Sequence, residues 1–166
     1  SNFGDKKVLF NPIFLISILL PLRRVFFYIF NPLLLPLTKY LTWLSLSLLG
    51  IEGIIKDYSI HINDVILVIS NGCAGTNNLF FSISTFLIYS FIFRLREKNN
   101  FNKVAIFTII FPIFINLFRN TFLGYIITID NIFKDDIFYL FHDSIGSLFF
   151  DLITLFVMSK FYFRLL

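Results

Sequence analysis

Charge is what this chain has least of. Only 14% of its 166 residues are Asp, Glu, Lys or Arg, whereas 57% are hydrophobic. Soluble domains average about 25% charged residues. With a mean hydropathy of +0.83, the chain cannot cover a water-exposed surface with polar groups. A soluble globular domain is therefore excluded, and the bilayer is the solvent for most of it. Cysteine is nearly absent as well. Cys73 is the single one, which excludes an intramolecular disulfide and a Cys-cluster metal site; no metal or cofactor is expected. Glycine is scarce, at 7 residues, yet Gly72 and Gly75 both flank Cys73. The net charge of +4 would suit nucleic acid, but the basic residues sit at the ends of apolar runs, where they orient helices. No nucleic-acid partner is expected. The excess of Phe, 25 residues, reads as base composition rather than function.

The apolar runs predict an all-α polytopic membrane protein, one transmembrane domain over 1–166 with about five helices. In the N-terminal part, 1–55, spans are expected over about 8–22 and 38–55, with Pro32 and Pro36 bending the stretch between them; one long first helix over 8–30 is the other option. Arg23 and Arg24 read as an orientation signal. Residues 56–73 differ in kind. Apolar and polar residues alternate around Asn63-Asp64, which is strand periodicity with a turn signal, so a small extracytoplasmic β-hairpin is expected before the cysteine. His61 reads there as a solvated strand residue. A three-span core over 74–160 follows, with spans from Gly75 to Phe93, from Val104 to about Ile127 and from Ile137 to Ser159. The loop 94–103 carries Arg94, Arg96, Lys98 and Lys103 against Glu97, and the C-terminus carries Lys160 and Arg164; both are expected on the cytoplasmic side. The hairpin and the acidic 130–136 stretch then face outward.

Three reactive side chains fall at one depth. Cys73 directly precedes the third span, where a helix N-terminus presents free N–H groups and a positive dipole end to a sulfur anion. Arg119 lies roughly 22 Å along its span, towards the outer face of a core of about 30 Å. His142 lies about 7–8 Å down from the outer end of the last span. All three reach one shallow pocket at the outer leaflet. Gly72 and Gly75 would let a substrate backbone come close, and Asn77 offers a polar contact. Asn116 shares the helix face of Arg119. Gly146, four residues after His142, would let another helix approach. Asp143 reads as a helix-start residue. Each feature also fits a plain structural role: Cys73 as an inert small residue, Arg119 as a side chain snorkelling to lipid phosphate, His142 as a satisfied core histidine. Together, Cys, His and Arg have a coherent chemistry, in which a thiolate attacks a peptide carbonyl, histidine moves the proton to the leaving amine, and arginine stabilises the oxyanion or positions the substrate chain.

Cys73-Ala74-Gly75, Asn116-Leu117-Phe118-Arg119 and His142-Asp143-Ser144-Ile145-Gly146 stand in this order on successive spans. In that pattern the chain resembles the membrane-embedded exosortases and archaeosortases, as a short minimal-core member over about 56–160. It departs from them in carrying Ala74 where Ser is more usual, and in its length. The resemblance implies a sorting transpeptidase or cysteine protease of the cell membrane. Cys73, Arg119 and His142 would be catalytic, with the active site on the extracytoplasmic side. Its substrates would be exported proteins ending in a recognition motif, a transmembrane helix and a basic tail, and the cleaved C-terminus would pass to a surface acceptor. Two other readings compete: a non-enzymatic channel or scaffold in which Arg119 and His142 line a polar path, and a thiol enzyme acting on lipid acyl groups.

Overall fold

The computed structural model describes residues 12–63, 65–93, 98–129, 134–142 and 144–165. Residues 94–97 of the expected 94–103 loop, residues 130–133 of the acidic 130–136 stretch, Asp64, Asp143 and the start of the first expected span lie outside them. Among the described residues the elements are α1 (Pro12–Leu48), β1 (Ile54–Lys56), β2 (Ser59–Ile62), β3 (Val65–Val68), α2 (Thr76–Ile92), α3 (Lys98–Thr128), α4 (Lys134–His142) and α5 (Ser144–Arg164), with a 3₁₀ turn at Asn71–Cys73 before α2.

The two N-terminal spans expected over about 8–22 and 38–55 are instead one helix of 37 residues that runs through Pro21, Pro32 and Pro36. Its buried positions explain why the prolines do not stop it. Asn31, Leu34, Thr38, Thr42 and Leu46 are all buried, and steps of three and four residues put them on one face. That continuous seam packs against α2 and α3 and outweighs the three missing N–H donors, as helix-breaking residues in membrane helices commonly allow. The expected last span is likewise divided, into the nine-residue α4 and the longer α5. A Cβ on Gly146 would collide with the backbone of Phe141, so glycine there admits the close approach of the end of α4.

Among the described residues the helices that stand where a bundle of about five is expected have 37, 17, 31, 9 and 21 residues. Among the described residues, Asn100–Thr128 is the one helical stretch long and apolar enough to cross a bilayer by length and composition, with a mean hydropathy of 1.8. α2 has only 17 residues, short of the usual ~20. α1 carries Arg23, Arg24 and Lys39, and α5 carries Asp151 and Lys160.

Where a two-stranded hairpin is expected, the strands form a three-stranded antiparallel sheet in the order β1-β2-β3. Two short turns link it, with Asp57 at φ 44° and Asn63 at φ 49°, left-handed values that Asp and Asn tolerate best after glycine. The Ile60–Leu67 pair sits on the face turned inward. Ile60, Ile62, Leu67 and Ile69 join Leu46 and Cys73 in one buried cluster. Trp43 Nε1 donates to the Gly53 carbonyl at 2.7 Å, and Lys39 donates to the Asp57 carbonyl, so the C-terminal third of α1 holds the sheet over Cys73. His61 is half-buried, with Nε2 3.0 Å from Ser59 Oγ; it is a sheet residue remote from the thiol chemistry. At the opposite end of the bundle, Phe86, Val104, Met158 and Tyr162 form a second core.

Candidate functional site

Residues 70–75 form a polar segment between β3 and α2, with Ser70, Asn71 and Gly72 exposed and Cys73 and Ala74 buried. The buried part needs partners for its backbone groups within the protein, since an unsatisfied buried group costs about as much as a lost hydrogen bond. Side chains from two helices supply them. From α3, Asn116 Nδ2 and Asn120 Nδ2 both donate to the Cys73 carbonyl, each at 2.9 Å. They stand one helical turn apart, so one face of α3 clamps one carbonyl. From α1, Thr38 Oγ1 donates to the Ala74 carbonyl at 3.1 Å. Asn31 bridges the loop and α2: its Nδ2 donates to Asn71 Oδ1 at 2.8 Å, and its Oδ1 accepts from Thr76 Oγ1 at 2.9 Å.

Gly75 is demanded twice by this arrangement. Its φ is +79°, and an added Cβ would lie 2.7 Å from the Asn116 amide carbon. Any side chain would strain the backbone and push out the clamp. Gly72 has no such constraint, because a Cβ there meets nothing nearer than Ser70 Oγ at 3.7 Å. Its expected role in admitting a substrate backbone rests on openness alone.

Cys73 ends the 3₁₀ turn, with its N–H on the Ser70 carbonyl at 2.9 Å. The side chain is 4% exposed, beneath the sheet. Ser70 Oγ donates to its sulfur at 3.5 Å. On the other side His142 Nε2 lies 4.0 Å from the sulfur, 69 residues away along the chain. His142 ends α4 and is half-buried; its ring stacks on Phe138, with centroids 5.1 Å apart at 18°. Phe138 in turn packs against the cluster that contains Cys73. Sheet, thiol and imidazole thus share one apolar roof.

Arg119 reaches His142 through the backbone. Nη2 donates to the His142 carbonyl at 2.8 Å and Nε to the Phe141 carbonyl at 3.3 Å. These are the last carbonyls of α4, which have no partner within the helix and carry its negative dipole end. Arg119 is buried, so the lipid-facing snorkel is excluded for it. A cavity of about 30 Å³ adjoins the loop, lined by Gly72, Gly75, Asn77, Asn116, Arg119 and Asp151 among others; it has room for about one water. Among the described residues neither Cys73 nor His142 lines it. The structure therefore brings Cys73 to His142 and His142 to Arg119, with Asn116 under the loop. Asn77 stands apart, facing the cavity and accepting from Arg23 Nε at 3.3 Å.

The chain matches the family model for transmembrane exosortases over residues 4–159. It belongs to the exosortase family. No curated protein and no solved structure matches it. Within this exosortase, several site residues escape a reading of the sequence. Asn120 follows Arg119 directly and repeats Asn116 at i+4, a spacing that marks it in retrospect. Asn31 is hidden before Pro32 in a stretch that reads as a kink. Asp151 looks like a stray charge on the last span but lines the cavity beside Arg119. Among the described residues no group of three or more His, Cys, Asp or Glu could hold a metal ion.

Proposed function

We propose that this exosortase is a cysteine transpeptidase or protease that cuts the C-terminal sorting signal of exported proteins through a thioester on Cys73. The observation that carries the reading is the 4.0 Å approach of His142 Nε2 to the Cys73 sulfur within a loop held by asparagines from α3. A thiol beside an imidazole has both partners of nucleophilic acyl transfer. In the first half-reaction the Cys73 sulfur attacks the scissile carbonyl, and its proton passes to His142. The tetrahedral intermediate collapses as the C–N bond breaks, and His142 returns that proton to the leaving amine. An acyl-thioester remains. In the second half-reaction an acceptor amine or water attacks the thioester carbonyl, gives its proton to His142, and the thiolate leaves and is reprotonated.

Arg119 acts first as a positioning residue. Its two donors hold the end of α4 and with it the imidazole that follows from that backbone. A guanidinium does this better than an ammonium, since its donors diverge in a fixed fork. In this reading the same guanidinium also takes up oxyanion charge once substrate is bound. Gly75 and the Asn116–Asn120 pair keep the Cys73 backbone fixed, so the sulfur does not have to be ordered at each turnover.

In this reading the protein is a multi-pass component of the cell membrane, with 56–73 and 130–136 outside and 94–103 inside. A substrate helix running beside the bundle would present its recognition motif at the level of Cys73, its basic tail would stay on the inner side, and a surface acceptor would receive the new C-terminus. Two experiments test it. Cells carrying Cys73→Ala should accumulate exported proteins that retain their C-terminal helix and basic tail, detectable by C-terminal peptide mass spectrometry; normal processing in those cells would refute the reading. In a Cys73→Ser background, a cysteine at position 99 should resist labelling by an impermeant maleimide in intact cells. Labelling from outside would invert the topology and remove the mechanism.

A further inference from the structure

Arg23 and Arg24 read in the sequence as an orientation signal, but their surroundings say more. Asn31 is level with the start of α2 through its bonds to Asn71 and Thr76. Arg23 is eight residues earlier on α1, about 12 Å further from the site. Its side chain nevertheless turns back towards the site. Nε donates to Asn77 Oδ1 at 3.3 Å, and the guanidinium lies 5.4 Å from the centre of the Phe81 ring. Arg24 makes no hydrogen bond or ion pair among the described residues. Both arginines line an open groove of about 820 Å³ with Pro21, Phe27, Tyr28 and Asn77, within the range of small-ligand sites, about 300–1,000 Å³. Asn77 also lines the cavity at the Cys73 loop, so groove and cavity meet at one residue.

The charges in this region do not balance. Arg23, Arg24 and Arg119 line the groove or the cavity, and Asp151 is the single carboxylate among their lining residues. It lies within electrostatic range of Arg119 and Arg23. A lipid-facing cation that finds no counter-ion is costly. Among the described residues no further carboxylate lines the groove or the cavity, which leaves room for an anion from outside the chain. Guanidinium pairs match phosphate oxygens in geometry as well as charge, and the groove adds apolar walls at Pro21 and Phe27 and the amphipathic ring of Tyr28.

We propose that Arg23, Arg24, Asn77 and Tyr28 form a site for the phosphate of a phospholipid headgroup, seated beside the cavity that adjoins the Cys73 loop. The site is independent of the transpeptidase reading, and its test needs no turnover. The full chain in detergent is titrated with phosphatidylglycerol, with phosphatidylcholine and with inorganic phosphate, and bound lipid is counted by native mass spectrometry. Phosphatidylglycerol should bind at one per chain and be displaced only weakly by inorganic phosphate at equal concentration. Arg23→Gln with Arg24→Gln should lower its occupancy about tenfold or more, the scale of two lost charge-assisted contacts. Arg24→Gln alone, which breaks no hydrogen bond among the described residues, should lower it about threefold if the double variant does not fold. Arg164→Gln, at the end of α5 remote from the site, should leave it unchanged. The proposal fails if the groove variants retain lipid like wild type. It also fails if Arg164→Gln loses as much as they do, which would mark general surface attraction, or if inorganic phosphate displaces the lipid equally well, which would mark a free-phosphate site.

Discussion

At the end of the bundle far from Cys73, Phe86, Val104, Met158 and Tyr162 fill the space between α2, α3 and α5, with Phe107 and Phe161 ring centres 4.3 Å apart. Side-chain hydrogen bonds there sit at the helix ends, with Tyr162 Oη donating to the Phe93 carbonyl and Asn100 Nδ2 to the Leu165 carbonyl at 3.2 Å, besides Tyr89 Oη with Ser159 Oγ at 2.9 Å. At the Cys73 end, position is fixed by named donors on named carbonyls: Asn116 and Asn120 on Cys73, Thr38 on Ala74, Arg119 on Phe141 and His142. The difference follows from the backbone each end contains. Along the helix interiors of the distal end the N–H and C=O groups are paired within each helix, so apolar packing carries most of the contact and side-chain donors serve only the helix ends. Where a loop and a helix end enter an apolar environment, unpaired carbonyls must be met by side chains. Those same side chains hold the backbone of Cys73 and the end of α4. The two ends should therefore respond differently to substitution: the distal end in stability, the site end in activity.

The largest effect is expected at the sulfur. Cys73→Ala should lower substrate cleavage by more than about 10³-fold, the scale seen when a catalytic nucleophile is removed, with the helical circular dichroism signal unchanged. Arg119→Lys comes next. It keeps the charge but cannot hold two α4 carbonyls in fixed directions, so cleavage should fall about 10²-fold in single-turnover assays. His142→Ala in the same assay should leave substrate uncleaved. The clamp follows. Asn120→Ala should slow cleavage about tenfold and cost about 1–3 kcal/mol in stability, because a buried carbonyl loses one of its two donors. Asn116→Ala with Asn120→Ala should cost more than the sum of the two singles, since the second loss leaves the carbonyl bare; additivity would show that the two amides do not share one function. The smallest effect on activity belongs to the distal end. Met158→Ala should lower the thermal unfolding midpoint, at a cost of about 2–5 kcal/mol, yet leave the single-turnover rate of the folded fraction within about twofold. A large rate loss there would erase the distinction between the two ends.

The sequence made the reactive residues legible because each sits where its type is expensive: Cys73 between glycines, Arg119 in an apolar run, His142 in the last span. It also placed Asn116 with Arg119 through helical spacing. It was less informative about continuity. Three prolines argue for breaks in α1, and only the buried seam from Asn31 to Leu46 shows why the helix persists. β1 was missed because three residues, Ile54–Lys56, carry too little alternation to be told from the end of a span. Asn31 and Asp151 stayed hidden because their partners, Asn71 and the cavity beside Arg119, come from distant parts of the chain. Arg23 reads as an orientation signal because a charge pair ending an apolar run commonly has that use; its bond to Asn77 comes from a distant part of the chain.

The central claim is that the Cys73 sulfur carries the acyl group. The most direct measurement is mass spectrometry of the protein quenched in acid from its own membranes, with the peptide containing Cys73 isolated and treated with hydroxylamine. The account predicts a peptide adduct on Cys73 that ends at the cleavage site of an exported protein, is released by hydroxylamine, and is absent from Cys73→Ala. Continued processing with Cys73 unmodified throughout, or the same adduct on another residue, would contradict it.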